Sequence, residues 1–308
     1  MACAVALRSA DMRFTIGVGR GLRTNHCQAA KELVSSFQGL HKNSYPFHSA
    51  LILTDALAGH TDELIECLTS YTEGKYQFFG GGAGDNAQFR NTPVFYGTEV
   101  ISDAVVALEI LSKKPLGIGV CHGWQPNSQK MRITEAHERR AIRIDDMPAI
   151  EVFQRYAQQT GQHLDVSNPI PFFLHNLIGI HLGMGYKLRV PLSMNPDGSI
   201  TCASDIPCGA TIYLMRATTE SATEAAVNAT RTALQKLYGG KPSVAIFFDC
   251  VATRLRMGKD FGFELEGVQR ILNSTCYAGC NTHGQIARVE GQFSGFHNCT
   301  AVICLIPE

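Results

Sequence analysis

The sequence lacks an excess of charge of either sign, an apolar run of membrane length and a recognisable leader. Its 27 basic residues are balanced by 27 acidic ones, and no basic face of the kind that binds nucleic acid is visible. The longest apolar runs have the length of strands, well short of a membrane-spanning helix. Arg8 and Asp11 interrupt the N-terminal segment, which is too short for a secretory signal. We therefore expect a cytoplasmic protein that neither binds nucleic acid nor inserts into a membrane.

The eleven cysteines have no arrangement typical of a disulfide framework. Their number is odd and no secretory signal precedes them, so we predict reduced thiols that act as small apolar side chains. The spacing of Cys276, Cys280 and His283 leaves a metal site open as an alternative. No second closely spaced pair completes a zinc site, however.

Hydrophobic periodicity predicts the same order of elements in two parts of the chain. In the first part, strands and helix faces alternate and lead into the turn Gly80–Gly84 and a further strand; these segments are 14–18, 29–37, 50–54, 64–68, 76–79 and 104–111. In the second part the matching segments are 212–215, 225–237, 244–248, 261–272, 276–284 and 300–303. With 308 residues the chain is long enough for a sizeable core in each part.

This repetition predicts an internal duplication: an α/β fold of two related halves with facing sheets and helices outside. Chance similarity between ordinary α/β units is the alternative. In this alignment Asp85 and Gln285 hold equivalent positions. Hairpin-like strands and one helix lie between the repeats, and the stretch 161–171 is punctuated by Gly and Pro. We place the domain boundary there, giving domains 1–160 and 161–308.

A stretch near the C-terminus combines small residues with polar side chains. Cys280, His283 and Gln285 are followed a dozen residues later by His297 and Asn298. A few convergent polar groups beside glycines are typical of a ligand pocket. We expect this stretch to form a pocket wall.

Five motifs carry a resemblance to a known family: 79–86 (FGGGAGDN), 119–124 (GVCHGW), 144–149 (IDDMPA), 283–286 (HGQI) and 296–300 (FHNCT). In their order and spacing, over nearly the whole chain, they resemble the FIST domain proteins of bacterial signal transduction. The resemblance makes the two predicted domains FIST N-like and FIST C-like. The chain departs from the family where His283 and Gln285 replace an aromatic residue and a glutamate. This puts in question any ligand that depends on that carboxylate.

The resemblance implies a sensory protein that binds a small molecule and is not an enzyme. It would regulate a separate signalling partner, such as a histidine kinase of a two-component system or a cyclic-dinucleotide enzyme, and it could form a homo-oligomer. The candidate ligands are haem, for sensing nitric oxide, and an amino-acid-like metabolite. The predicted ligand-binding residues are Gly82, Gly84, Asp85, Asn86, His122, Cys280, His283, Gln285, His297 and Asn298. Of these, His283 and His122 are the candidate metal ligands.

Two other functions stay open at this stage. An enzyme could use Asp85, Cys280 and His283, although no orienting carboxylate follows in the sequence. A scaffold with a vestigial pocket is the other alternative. Asp85 itself is predicted to matter more for the ligand than for folding, against a purely turn-stabilising role. We also expect Gly84 and Gly284 to hold backbone positions where a side chain is poorly tolerated, at a cost that applies if φ is positive there.

Overall fold

The computed structural model describes residues 5–41, 44–183, 185–289 and 295–308. Its helices are α1 (Leu22–Val34), α2 (Thr61–Tyr71), α3 (Ala149–Gln159), α4 (Ile170–Phe173), α5 (Thr219–Gln235), α6 (Val251–Met257) and α7 (Phe261–Leu272), with short 3₁₀ helices at Ala56–Ala58 and Gly258–Asp260. Its strands are β1 (Met12–Arg20), β2 (Phe47–Asp55), β3 (Gln77–Ala83), β4 (Val94–Tyr96), β5 (Glu99–Ile101), β6 (Ala104–Ser112), β7 (Gly117–Cys121), β8 (Gln125–Pro126), β9 (Met131–His137), β10 (Arg140–Ile144), β11 (Met147–Pro148), β12 (Leu177–His181), β13 (Tyr186–Arg189), β14 (Pro191–Met194), β15 (Ile200–Cys202), β16 (Thr211–Arg216), β17 (Pro242–Cys250), β18 (Cys276–Thr282), β19 (Gln285–Arg288), β20 (Gly295–His297) and β21 (Ala301–Pro307). The content is mixed α/β, as predicted.

The chain divides into two compact units. Unit 1 comprises Met1–His122, Thr223–Arg254 and Asp260–Glu308. Unit 2 comprises Gly123–Ala222 and Leu255–Lys259. In the sequence, unit 2 therefore interrupts unit 1 after β7.

Unit 1 consists of two sheets packed face to face with helices on both outer sides. The six-stranded sheet has the order β1-β6-β2-β3-β19-β20, and the four-stranded sheet has the order β18-β17-β21-β7. Phe79 and Ile110 of the first sheet share a buried cluster with Phe248 and Val302 of the second. Separate buried clusters attach α1 and α2 to the first sheet, and α5 and α7 to the second. Facing sheets with helices outside were predicted, and unit 1 has this arrangement.

The two sheets contain the same supersecondary unit twice. Repeat A (β1, α1, β2, α2, β3 and β6) has the strand order β1-β6-β2-β3. Repeat B (β7, α5, β17, α7, β18 and β21) has the order β7-β21-β17-β18. Each repeat contains one parallel pair, β2 with β3 or β17 with β18, and its other pairs are antiparallel. The predicted internal duplication is therefore present.

One predicted element of the duplication is wrong. The segment 212–215 belongs to β16 and pairs within unit 2, so it is not the first strand of repeat B. That strand is β7, which pairs antiparallel with β21 as β1 pairs with β6. The error arises because unit 2 separates β7 from α5 in the chain and leaves β16 directly before the helix.

The strand register also corrects the predicted equivalence of Asp85 and Gln285. Ile52 of β2 and Phe247 of β17 both face the helices of their own repeat, and they pair with Gly80 and Gly279. Counting five residues onward, the position of Asp85 matches Gly284. His283 and Gln285 each lie one residue away from that position.

The segments that follow β3 and β18 differ between the repeats. In repeat A, β4 and β5 pair with each other as a two-stranded sheet. In repeat B, the hairpin β19–β20 leaves its own sheet, and β19 pairs antiparallel with β3 of repeat A, Gln285 opposite Gly81. This crossing brings the end of β18 next to the end of β3.

Unit 2 is built on a sheet with the order β13-β12-β16-β9-β10-β15-β14, with β11 paired to β10 and β8 to β16. The apolar face of α3 and the short α4 cover it through Val152, Phe153 and Phe173. Arg256 lies over the ring of Trp124, 5.3 Å from its centroid, a cation–π contact. Residues 160 and 161 follow the last turn of α3, and the domain boundary placed there stays a prediction.

The prediction that all cysteines are reduced is wrong at one place. Cys27 on α1 and Cys67 on α2 form a disulfide, although they are 40 residues apart in the sequence. The reason is that α1 and α2 lie side by side on one sheet, which the spacing of the cysteines does not reveal. Among the described residues, no helix is both long enough and apolar enough to span a bilayer.

Candidate functional site

The carboxylate of Asp85 organises the loop that follows β3. Its Oδ1 accepts hydrogen bonds from the backbone N–H groups of Gln88 (3.1 Å) and Phe89 (2.9 Å). Its Oδ2 accepts from those of Arg90 (2.6 Å) and Asn91 (3.1 Å). Four donors match the four lone-pair sites of a carboxylate. The backbone N–H groups of the loop therefore already satisfy the hydrogen-bonding capacity of the Asp85 carboxylate.

This loop holds backbone conformations that cost free energy. Asn86, Ala87 and Phe89 have φ values of 60°, 60° and 52°. Asn tolerates this left-handed region, whereas Ala and Phe adopt it rarely. Such strain persists only where neighbouring contacts impose it, and the bonds to Asp85 are those contacts. The loop thereby presents the ring of Phe89, a residue that is 46% exposed.

His283 lies against this loop from the end of β18. Its Nε2 is 3.8 Å from Oδ1 of Asp85, and the ring of Phe89 stacks on its imidazole with centroids 4.8 Å apart. The side chain is only 6% exposed. Within the described part of the chain, neither ring nitrogen has a hydrogen-bond partner. A buried polar group without a partner is costly, so this imidazole is the strongest candidate ligand contact.

His283 and Asp85 are held in different charge states. Burial lowers the pKa of His283, and the nearby charge of Asp85 only partly opposes this. Burial raises the pKa of Asp85, but hydrogen bonds from the backbone of Arg90, Asn91 and Phe89, with the charge of His283, lower it to about 2. At neutral pH a neutral imidazole therefore faces a carboxylate.

Glycines allow the two chain segments to approach at this point. The N–H of His283 donates to Gly82 O, and the N–H of Gly82 donates to Gly284 O, both at 3.0 Å. A Cβ on Gly82 would lie 2.7 Å from His283 O, so this position requires glycine. The geometry agrees with the prediction that a side chain is poorly tolerated at Gly284, where φ is 87° and a Cβ would lie 1.9 Å from Phe296 Cζ. At Gly84, φ is not positive, but a Cβ would crowd His283 Cδ2 at 3.0 Å.

Three predicted ligand residues are buried parts of the framework. Gln285 is fully buried, and its amide lies 2.9 Å from the hydroxyl of Thr282. A ring nitrogen of His297 lies 3.3 Å from Ala287 O. The side-chain amide of Asn298 donates to His297 O at 3.3 Å. These contacts connect β19, β20 and the start of β21, so the three side chains support the site from within the protein.

Cys280 and His122 lie apart from the Asp85–His283 pair. Cys280 is exposed on β18, four residues from Cys276, which in a strand is about 13 Å; this excludes one metal ion bound by both. Among the described residues, the ring nitrogens of His283 make no hydrogen bond, so none joins them to Cys280. His122 follows β7, and β7 and β18 form opposite edges of the four-stranded sheet.

Unit 2 contains a cavity of about 580 Å³ that the sequence did not indicate. Its lining includes Asn127, Asp145, Met147 and Tyr156, and the amide of Asn127 donates to the hydroxyl of Tyr156 at 2.7 Å. The available signal was the motif at 144–149, which supplies two of these residues.

A duplicated α/β scaffold with a compact polar cluster is typical of a binding domain. Comparison with family models gives the same class: the FIST N domain matches residues 2–147 and the FIST C domain matches residues 149–288. The chain belongs to the FIST family, whose domains are sensory domains of signal transduction. No curated protein matches it.

Proposed function

We propose that the chain is a cytoplasmic sensor in which His283 contacts a small-molecule ligand. The observation that carries this proposal is the buried imidazole whose two nitrogens have no hydrogen-bond partner among the described residues. A neutral imidazole offers one acceptor and one donor. The adjacent Phe89 ring and Asp85 carboxylate favour a cationic group. An amino-acid-like metabolite, with an ammonium group, fits this chemistry best.

Thermal unfolding with each of the free standard amino acids tests this proposal. A binding amino acid should raise the melting temperature of the parent protein and of His163→Ala, which changes an exposed histidine elsewhere. The same amino acid should leave His283→Ala unshifted. An equal shift in His283→Ala, or no shift with any amino acid, would contradict the metabolite proposal.

Haem is a second candidate, because a neutral imidazole without a partner is the form of histidine that ligates iron. His283 would supply the axial nitrogen. Its Nε2 faces Asp85 at 3.8 Å, so iron at that nitrogen requires the Asp85 loop to move. Haem titration should give a Soret band that His283→Ala abolishes and His163→Ala keeps. A band lost only in His122→Ala would assign the iron to His122, and a band kept in both variants would exclude both histidines as ligands.

We propose that ligand binding is passed to a separate histidine kinase or cyclic-dinucleotide enzyme. The family's sensory role supports this, together with the strained loop, which a ligand at His283 would contact through Phe89. The partner's activity should respond to ligand with the parent protein and not with His283→Ala. A response retained by that variant would separate signalling from this site.

A further inference from the structure

A second cluster of chemically active side chains lies between α1 and α2, away from His283. His26, Cys27 and Cys67 each offer one ligand atom, and these atoms all lie within 4.8 Å of one another. All three residues are half-buried. A fourth residue, His60, stacks its ring on that of His26 with centroids 5.1 Å apart. Two thiols with one or two imidazoles form the ligand type that zinc prefers.

The backbone is shaped to bring these side chains together. The helix α1 is interrupted at Asn25, which has φ −157° and ψ 80°. The side chain of Asn25 accepts from the N–H of Gln28 at 2.9 Å, so a new helical segment begins at His26. Cys27 therefore lies in a first helical turn, where the helix dipole favours an anionic thiolate.

The backbone is also unusual at the N-terminus of α2. His60 precedes α2 with φ 55°, a left-handed conformation that few residues other than glycine adopt. This places its ring over His26. A disulfide between Cys27 and Cys67 needs neither histidine, so their placement indicates a ligand in addition to the bond.

We propose that His26, Cys27 and Cys67 bind one thiophilic cation of the zinc class when the disulfide is reduced. An external dithiol, which becomes a disulfide itself, supplies two electrons and two protons that break the Cys27–Cys67 bond. The metal ion then displaces those protons from the two thiols, and the fourth position is left to water or another exchangeable ligand. The metal form and the disulfide form exclude each other, because a disulfide sulfur has no thiolate to donate.

The test is zinc titration of the reduced full-length chain against a chromogenic chelator, with cobalt as the spectroscopic substitute. The reduced parent should bind about one equivalent of zinc, and its cobalt form should show a thiolate charge-transfer band. Cys27→Ser and Cys67→Ser should bind at least about 100-fold more weakly, and His26→Ala at least about 10-fold. The matched control, Cys276→Ser with Cys280→Ser, removes two exposed thiols and should bind like the parent.

A second measurement needs no substitution and so does not depend on the variants folding. Zinc should protect Cys27 and Cys67 of the reduced parent from alkylation, as mapped by mass spectrometry, and leave Cys276 and Cys280 reactive. The disulfide form should bind no zinc. Binding by the reduced parent no tighter than by Cys27→Ser, or no protection of the two thiols, would overturn the proposal and leave a disulfide only.

Discussion

Repeats A and B share one topology, yet the helix-facing sides of their sheets carry different chemistry. Glu109 pairs with Ala50 in repeat A, where repeat B pairs Leu305 with Ala245. Both Glu109 and Leu305 are buried. The fold therefore accepts a carboxylate or an aliphatic side chain on this face, provided that the carboxylate has donors.

Repeat A supplies those donors from its own elements. The Tyr76 hydroxyl donates to Oε1 of Glu109, and so does the backbone N–H of Gly39 at 2.9 Å. The N–H of Gln38 donates to Oε2 at 2.9 Å. Burial and the hydrogen bond to Glu109 raise the pKa of Tyr76, so its hydroxyl stays protonated and able to donate.

The repeats differ again after the third strand, and there the difference creates the candidate site. The segment after β3 folds around Asp85, whereas the one after β18 crosses to pair with β3. Asp85, after β3, and His283, after β18, therefore meet at 3.8 Å. Each repeat thereby supplies one residue to a single asymmetric pair.

The largest effect is expected where two positions of positive φ differ in packing. Asn86 follows Asp85 and Gly284 follows His283, with φ values of 60° and 87°, but a Cβ on Gly284 would lie 1.9 Å from Phe296 Cζ. Gly284→Asn should lower the free energy of unfolding by about 3 kcal/mol, measured by urea denaturation. The reverse change, Asn86→Gly, should cost less than about 1 kcal/mol. Similar small losses of unfolding free energy in both variants would show that the positive φ, and not packing, determines which residues these two positions accept.

The next effect tests the polar core of repeat A. Tyr76→Phe removes one donor from the buried Glu109 and should cost about 2 kcal/mol in urea denaturation. Tyr277→Phe is the control in repeat B, because the Tyr277 hydroxyl donates to Leu265 O in a long hydrogen bond of 3.3 Å. This change should lower the free energy of unfolding by less than Tyr76→Phe does. Equal costs in the two repeats would mean that the Glu109 contacts add no stability of their own.

A smaller effect is expected from acid. The pKa of Asp85 is about 2 in the folded protein, below its ordinary 3.8, so the unfolded state takes up the proton first. Its contribution is therefore present above about pH 4 and lost as pH falls toward 2. The lowered pKa of His283 makes stability also fall as pH drops below its ordinary 6.5.

Unfolding curves measured between pH 7 and pH 2 separate the two groups. Asp85→Asn should lose about 1 kcal/mol at neutral pH and should lack the step below pH 4. His283→Gln should lack the step that begins near pH 6.5. An acid step below pH 4 that is unchanged in Asp85→Asn would assign it to other carboxylates.

The smallest effect concerns Cys280, which lies on β18 of repeat B. Cys280 is exposed and forms no hydrogen bond with His283. Cys280→Ala should change the free energy of unfolding by less than about 0.5 kcal/mol and leave ligand-induced thermal shifts intact. Loss of a catalytic turnover in this variant would instead support the enzyme alternative.

The sequence allowed the architecture of unit 1 to be predicted, because alternating apolar strands and amphipathic helices repeat in the same order. It did not identify β7 as part of repeat B, since pairing with β21 is a long-range contact without a local signal. For the same reason the Asp85–His283 pair was missed in favour of Asp85 and Gln285. Residue types suggested His283 as a site residue, but only the structure shows that its ring nitrogens make no hydrogen bond with any described residue.

The insertion of unit 2 into repeat B has a consequence for the order in which the protein is made. Repeat A is complete in the nascent chain by β6, apart from the strands that β19 and β20 add later. The strand β7, by contrast, must wait for β21, where Cys121 pairs with Ala301. This pairing closes a loop of about 180 residues, which is entropically costly and slow. On the ribosome, repeat A can therefore fold long before repeat B. The side of its sheet that packs against repeat B must then stay exposed until β21 is synthesised.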